Sequence, residues 1–171
     1  MTAIAEAARP ATAGDAVVLS EMAALASAEL AVQRGGAVWS RLEARPDPQH
    51  ESLARDLADD ESLVVVGTID TAVVGYGAVR LVKLHDSTTL GRISDIYVMP
   101  DARGVGVGEA MMELLLAWAQ TRGCIGVDSL ALPGDRHTKN FFETHGLVAR
   151  AIITHRALTS QQPQRGSGEE S

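Results

Sequence analysis

Residues 96–108, which read IYVMPDARGVGVG, constrain the fold of this chain more than any other stretch. An alternating, strand-like run ends at Pro100, a loop with glycine at every second position follows, and the most regular helical pattern of the sequence comes next. Glycines let successive backbone amides approach an anion closely, and the start of the helix adds free N–H groups and the positive end of its dipole. Strand, glycine loop and helix in this order are typical of a phosphate-binding site.

Two well-known phosphate-binding loops do not match this stretch. A P-loop ends in Gly-Lys-Ser/Thr, whereas Gly108 is followed by Glu109 and Ala110. The dinucleotide-binding pattern needs glycine at its first, third and sixth positions, and the sixth residue counted from Gly104 is Glu109. A glycine-rich turn in front of an ordinary helix remains the alternative without a ligand.

The stretch resembles the signature loop of the Gcn5-related N-acetyltransferases (GNAT), Arg/Gln-x-x-Gly-x-Gly/Ala, carried here by Arg103, Gly106 and Gly108. The family's strand ending in Val-x-Pro is matched by residues 98–100, and residues 95–100 are most similar to the diamine acetyltransferases. The resemblance implies a single-domain α/β GNAT fold. Its central sheet is mixed and mostly antiparallel, is flanked by helices, and has a V-shaped splay between two strands for acetyl-CoA.

Composition limits the classes of partner. With 171 residues, 46% of them hydrophobic, we expect one domain over residues 1–159 and a disordered polar tail over residues 160–171. The net charge of −7 argues against binding nucleic acid or an anionic membrane. The N-terminus does not read as a signal peptide and no apolar run is long enough to span a bilayer, so we expect a cytoplasmic protein.

The hydrophobic patterns predict alternating strands and helices. Predicted strands cover residues 4–9, 62–69, 72–84, 88–98 and 124–132, with one or two more in 148–158. Predicted helices run from an N-cap at Thr12 to about residue 30, over residues 49–60, from the glycine loop to Gly123, and over residues 138–145. Glycines 75 and 77 mark a bulge or a close backbone approach. Residues 33–45 show no clear pattern.

Acyl transfer from a thioester to an amine requires that the cofactor be held and its carbonyl polarised. The resemblance implies acetyl-CoA as the cofactor, with its pyrophosphate on the amides of residues 104–109 and Arg103 adding charge. It also implies that the pantetheine arm pairs with the strand end and that an amide there polarises the thioester oxygen. The expected cofactor-binding residues are Ile96, Tyr97, Val98, Arg103, Gly104, Val105, Gly106, Val107, Gly108, Glu109, Asp135, Thr138 and Asn140.

The attacking amine must also be deprotonated, and here the sequence departs from its relatives. An alkylamine of pKa about 10.4 is neutral in only about one part in 2,500 at pH 7. Many relatives place a base glutamate where this chain has Ser94, a tyrosine acid where it has Phe142, and an asparagine where it has Asp135. Asp95 is the one carboxylate left on the site strand, as a substrate-binding group or as an ordinary ion-pair partner.

Other reactive side chains give weaker signals. His85 with Asp86 is a candidate base or a solvated loop pair, and no two histidines have metal-ligand spacing, so no metal site is expected. We interpret Cys124 as an inert thiol at the start of a strand.

The function predicted on these grounds is acetyl transfer from acetyl-CoA to a primary amine by direct attack, with a small cationic amine as substrate and a homodimer as an open option. Alternatives are a catalytically weak acyl-CoA-binding module, a protein lysine or N-terminal acetyltransferase, and a phosphate-loop protein unrelated to CoA.

Overall fold

A computed structural model describes residues 5–158 of the chain, so the tail predicted over residues 160–171 lies outside the described part. Its five strands form one sheet in the order β1-β2-β3-β4-β5. Neighbours are antiparallel from β1 to β4, and β5 runs parallel to β4. The strands are β1 (Glu6–Pro10), β2 (Ser62–Ile69), β3 (Ala72–Lys83), β4 (Thr89–Val98) and β5 (Val127–Ser129). The helices are α1 (Ala16–Ala31), α2 (Gly36–Leu42), α3 (Gln49–Ala58), α4 (Val107–Thr121) and α5 (Arg136–Thr144).

The predicted helix start after β1 is confirmed, with one 3₁₀ turn in front of α1. The amide of Thr12 donates to Oδ2 of Asp15 at 2.8 Å, which is one half of a capping box. The guanidinium of Arg9 holds the same carboxylate through two contacts of 2.8 Å. These contacts fix the angle at which α1 leaves the sheet edge.

Helices cover both faces of the sheet. On one face α1 and α3 pack against the sheet through a core that includes Leu19, Met22, Leu53, Tyr76 and Tyr97. On the other face α4 and α5 pack through a second core that includes Val65, Ile93, Met111, Leu115 and Phe142. The single-domain, mixed-sheet α/β architecture predicted from the sequence is therefore the one observed.

The glycines inside the strands let α4 lie directly on the sheet backbone. A Cβ at Gly67 would come within 2.4 Å of Val107 Cγ1, and one at Gly77 within 3.1 Å of Leu115 Cδ1. Strand β3 also carries a bulge. Gly67 and Thr68 of β2 lie opposite Gly75 and Val73 of β3, so Val74 is an extra residue in β3. Both features predicted for this part of β3 are present.

Two strand predictions are wrong. Residues 124–132 form a strand only over Val127–Ser129, because the chain diverges from β4 after that point and loses its backbone partner. Within residues 148–158 there is no strand in the described structure, since no neighbouring strand supplies hydrogen bonds there.

The stretch without a clear pattern, residues 33–45, contains α2, which follows Gly35 at φ 86°. Among residues 5–158, no helix has the length and apolar character needed to cross a membrane.

Candidate active site

A gap opens between β4 and β5. The two strands pair only from Gly91 to Ile93 on β4, opposite Val127 to Ser129 on β5. Beyond that pairing the edge of β4 from residue 94 to residue 98 has no neighbouring strand among the described residues, while its other edge stays paired with β3. The strand end predicted to bind the pantetheine arm, residues 96–98, therefore has a backbone edge without a neighbouring strand, here called the free edge. The Val98 carbonyl accepts a side-chain hydrogen bond from Arg103.

The loop after β4 directs free amides into the same region. Gly104 and Gly106 have φ of 79° and 98°, a conformation that favours glycine, and Gly106 caps α4. In the described structure no backbone or side-chain acceptor bonds the amides of residues 104–109, and the first bond of the helix is donated by Ala110. Successive unpaired amides at a helix N-terminus form an anion-binding concavity.

Side chains of the loop leave this concavity open. A Cβ at Gly104 would meet no atom within 4 Å, and one at Gly106 would meet only the flexible side chain of Glu6, at 3.1 Å. Val107 is buried beneath the loop, so it contributes its amide, whereas the side chains of Val105 and Glu109 are exposed. Gly108 has a packing role, since a Cβ there would lie 3.2 Å from Phe141 Cε2.

Arg103, predicted to add charge beside the pyrophosphate, contacts the end of β4 and α1 in the structure. Its Nε atom donates to the carbonyl oxygen of Val98 at 2.8 Å, and Nη2 donates to Oε2 of Glu29 on α1 at 2.8 Å. The guanidinium carbon lies 5.5 Å from the ring centre of Tyr97. The bond to Glu29 raises the pKa of Arg103, against the effect of burial. The side chain therefore ties α1 to the end of β4, next to the free edge.

The residues expected on α5 lie at its beginning. Asp135 is the N-cap of α5 and accepts a hydrogen bond of 3.0 Å from the amide of Thr138, while Asn140 is exposed. Aspartate caps a helix as well as the asparagine that the family resemblance implied at this position.

Asp95 lies at a bulge that the sequence did not reveal. The register places Ala78 opposite Asp95 and Val79 opposite Ile93, so that Ser94 is an extra residue in β4. Strict alternation along a strand would place Asp95 on the face of Tyr97 and opposite Ser94, but the bulge brings the side chain of Ser94 to Asp95. The hydroxyl of Ser94 donates to Oδ2 of Asp95 at 2.7 Å.

The carboxylate of Asp95 is an ion-pair partner. Nη2 of Arg45 lies 2.6 Å from Oδ2 of Asp95, and the hydroxyl of Tyr76 donates to Oδ1 at 2.8 Å. The other end of the guanidinium, Nη1, contacts Asp56 Oδ2 at 2.6 Å and Ser52 Oγ at 2.9 Å. The side chains of Arg45 and Asp95 are only 5% and 10% exposed, so this is a nearly buried network.

Electrostatics favour the charged form of Arg45. Burial acts against the cation, but the attraction of Asp95 and the bonds to Asp95 and Asp56 outweigh it and raise the pKa of Arg45. Burial and the negative charge of Asp95 raise the pKa of Tyr76 well above its ordinary value, so its phenol remains protonated. Asp95 is therefore balanced by an internal cation.

A cavity of about 190 Å³ lies beside this network, next to Ser94. Its lining brings together three carboxylates (Glu43, Asp56 and Asp95) and two guanidiniums (Arg45 and Arg80). No sequence pattern marks Arg45, Asp56 or Tyr76 as site residues. One signal was present: a carboxylate on a strand face that also carries Tyr97 must find a partner if that face is buried.

The remaining candidates lie away from the gap or lack reactivity. His85 and Asp86 are in the β3–β4 turn, at the opposite end of β4 from the glycine loop, and Asp86 bonds Thr88. Burial raises the pKa of the Cys124 thiol, which disfavours the thiolate. Phe142 is buried in the core beneath α4. No group of three or more potential metal-ligating side chains occurs within the described part of the chain.

The free edge and the amide loop fit a CoA thioester. The free edge of β4 can pair with an amide-bearing arm, and the unpaired amides of residues 104–109 can hold a pyrophosphate. The two features follow each other along the chain, so one extended ligand can use both.

Comparison with known proteins agrees with this geometry. An aminoglycoside N(6')-acetyltransferase type 1 from Stenotrophomonas maltophilia is 35% identical over 97 residues, which cover 52% of this chain and 63% of that relative, less than two thirds of its length. The BH1408 protein of Bacillus halodurans, as a tetramutant, has a TM-score of 0.75 at 17% identity, over 88% of this chain and 99% of that one. Aminoglycoside N-acetyltransferase AAC(6')-Iy, solved with CoA, has a TM-score of 0.69 at 15% identity, over 92% of this chain and 97% of that one.

The likeness to these two solved structures shows the fold of the chain. The gap between its β4 and β5 agrees with the splay that the family resemblance implied. The model of the acetyltransferase (GNAT) family matches residues 28–147, which include α3, β2 to β5 and the whole glycine loop. The chain belongs to the acetyltransferase (GNAT) family.

Proposed function

We propose that this chain is an N-acetyltransferase that transfers the acetyl group of acetyl-CoA to a primary amine by direct attack. The observation that carries the proposal is the continuity between the free edge of β4 and the unpaired amides of residues 104–109. Acetyl-CoA supplies an activated thioester, and these backbone groups would bind and orient it. An amide at the free edge, near residues 96–98, would polarise the thioester carbonyl.

A small cationic amine is the acceptor that the surroundings of Ser94 favour. The cavity there has one more carboxylate than guanidinium, and the exposed Glu43 lies on its rim. Because Arg45 balances Asp95, attraction of an ammonium group comes from Glu43 and from the net charge of −7. The aminoglycoside acetyltransferase found among the relatives supports an acceptor of this class.

The chemistry proposed for the chain's own residues is modest. Ser94, held by its bond to Asp95 at the cavity wall, would orient the amine. No side chain is assigned as base, so the amine would lose its proton to water, at a penalty of about 4–5 kcal/mol at pH 7. Turnover should therefore increase with pH.

A second candidate is an acyl-CoA-binding module with little turnover. Two observations favour it: Phe142 is apolar and buried where relatives carry a tyrosine acid, and Asp95 is engaged by Arg45. Both candidates use the same cofactor-binding groups.

One experiment separates the candidates. Thiol release from acetyl-CoA should be measured with an aminoglycoside, a polyamine, an amino acid and a lysine peptide, alongside calorimetry with CoA. Release with the cationic small amines supports the proposal. Binding of CoA without release for any amine supports the binding module, and absence of CoA binding overturns both.

A further inference from the structure

Two arginines lie directly opposite each other on β3 and β4. The register pairs Arg80 with Arg92, and both residues are exposed. Like charges placed opposite each other on neighbouring strands are destabilising, so this pair breaks a rule that sheets normally follow. Positions that break a local rule in this way are expected mainly at functional sites.

Neither guanidinium is neutralised by a described carboxylate. Within residues 5–158, Arg80 and Arg92 form no ion pair. Asp128 of β5 is in register with Arg92, but its carboxylate is held by Arg150, through Nε at 2.8 Å and through Nη2. These four side chains together carry three positive charges and one negative charge.

The arginine pair adjoins the cavity beside Ser94. Ile93 packs in the core beneath α4, so alternation along β4 places Arg92 on the other face of the sheet, which also carries Asp95. Arg80 lines the cavity together with Ser94. Since Ser94 is two residues from Arg92, the two lie about 7 Å apart along an extended strand. An acceptor with its amine at Ser94 can therefore place a second group beside the arginines.

Positive and negative charges are separated on this surface. Arg45 shares its charge between Asp56 and Asp95, and Glu43 adds a carboxylate on the rim, so this part of the lining is negative. The arginine pair forms the positive part. A surface of this kind suits a molecule that has an ammonium group and an anionic group on the same chain.

We propose that Arg80 and Arg92 form an anion subsite that selects acceptors carrying a carboxylate or a phosphate in addition to the primary amine. Each guanidinium offers its N–H donors in a planar fork that fits either anion. An anion bound between the two arginines also offsets their mutual repulsion. The subsite rests on the proposed function, because it assigns a substrate class to acetyl transfer at Ser94.

Three matched acceptors test the subsite: 5-aminopentanol, 6-aminohexanoate and 5-aminopentyl phosphate, which differ at the end remote from the amine. Thiol release from acetyl-CoA should give a kcat/KM at least about fivefold higher for one or both anionic amines than for the alcohol. The carboxylate and phosphate compounds show which anion is preferred. The preference should shrink with added salt.

Variants assign the preference to the two arginines. Arg80→Gln and Arg92→Gln should each reduce it to about twofold or less and leave kcat/KM for the alcohol unchanged. Arg122→Gln is the matched control, because Arg122 is exposed at the end of α4, on the other face of the sheet, and should keep the full preference. Circular dichroism checks that all variants are folded.

Calorimetry with the same compounds separates failure of the subsite from failure of acetyl transfer. If no compound is acetylated, yet an anionic one binds more tightly than the alcohol and Arg92→Gln abolishes the difference, the subsite stands and acetyl transfer falls. Equal kcat/KM for all three acceptors overturns the subsite alone. Equal or undetectable affinities in the absence of turnover overturn it as well, as does a preference that both glutamine variants retain.

Discussion

Arg45 and Asp95, fifty residues apart in the chain, form an ion pair of 2.6 Å between Nη2 and Oδ2 at the wall of the cavity beside Ser94. The pair is nearly buried and is completed by Asp56 on the guanidinium and by Tyr76 on the carboxylate. The one carboxylate that the sequence offered as a substrate group is therefore part of the structure that holds the loop before α3 against β4. Removing the charge of Asp95 should therefore affect the stability of the fold before it affects substrate binding.

Asp95→Asn should destabilise the fold by about 3 kcal/mol, because it leaves the buried Arg45 with one carboxylate partner fewer. Chemical denaturation measures the change. Asp60→Asn, at an exposed position, is the control and should have little effect. Combining Asp95→Asn with Arg45→Gln removes both charges and should recover part of the loss. If Asp95→Asn raises the Michaelis constant of a cationic amine without loss of stability, Asp95 binds substrate instead.

Glu43→Gln should weaken binding of the cationic acceptor and leave CoA binding unchanged. Glu43 is the exposed carboxylate on the cavity rim, and a solvent-exposed charge contributes about 0.4–1 kcal/mol, so the Michaelis constant should rise about two- to fivefold. The effect should shrink with added salt. Glu21→Gln on α1 serves as the control. An unchanged constant for every accepted amine would remove the electrostatic argument for a cationic acceptor.

Gly106→Arg should abolish CoA binding. We propose that the loop amides bind the pyrophosphate, and a long side chain at Gly106 would crowd that loop. The φ of 98° at this position adds strain of about 1–2 kcal/mol. Gly123→Arg is a matched control, because Gly123 has a φ of 70° at the other end of α4 and meets no atom within 4 Å of its Cβ position. Both variants should lose similar stability, and calorimetry should show loss of CoA binding only for Gly106→Arg. Retained affinity in a folded Gly106→Arg protein would exclude the loop as the pyrophosphate site.

The stability supplied by Asp15 should depend on pH. Hydrogen bonds from Arg9, which have the largest effect, and from Thr12 hold the pKa of the Asp15 carboxyl well below its usual value. Because the folded-state pKa is depressed, the contribution is complete above the unfolded pKa of about 3.9 and is lost as pH falls further. Asp15→Asn should therefore cost about 1–2 kcal/mol at pH 7 and less at pH 3. A difference from the parent that stays constant between these pH values would contradict this origin.

Local patterns were enough to predict strands β2 to β4 and the glycine loop. Alternation in residues 62–69 and the glycine spacing after Pro100 are encoded within a few neighbouring residues, and the structure has a strand and a loop there. The Arg45–Asp95 pair could not be found this way, because Arg45 lies in a segment without periodicity and its partner is on another element. The bulge at Ser94 changes which residues share a face without changing their hydrophobicity. Residues 148–158 have the composition of a strand, but no backbone hydrogen bond joins them to another described residue, and composition alone does not supply a pairing partner.

Phe142→Tyr is expected to raise the turnover number. Phe142 lies on α5 and is 6% exposed. The family resemblance implies a tyrosine at this position in many relatives, where it would reprotonate the thiolate. A hydroxyl that reaches the gap between β4 and β5 would act as a general acid, worth about tenfold or more in turnover number. If it stays in the core without a partner, the variant should instead lose about 1–3 kcal/mol of stability. Phe142→Leu, which changes packing without adding a hydroxyl, should show no gain in rate. Steady-state kinetics with a saturating amine, together with denaturation, decide between these outcomes. A slower but fully stable Phe142→Tyr enzyme would mean that the ring shapes the acceptor cavity.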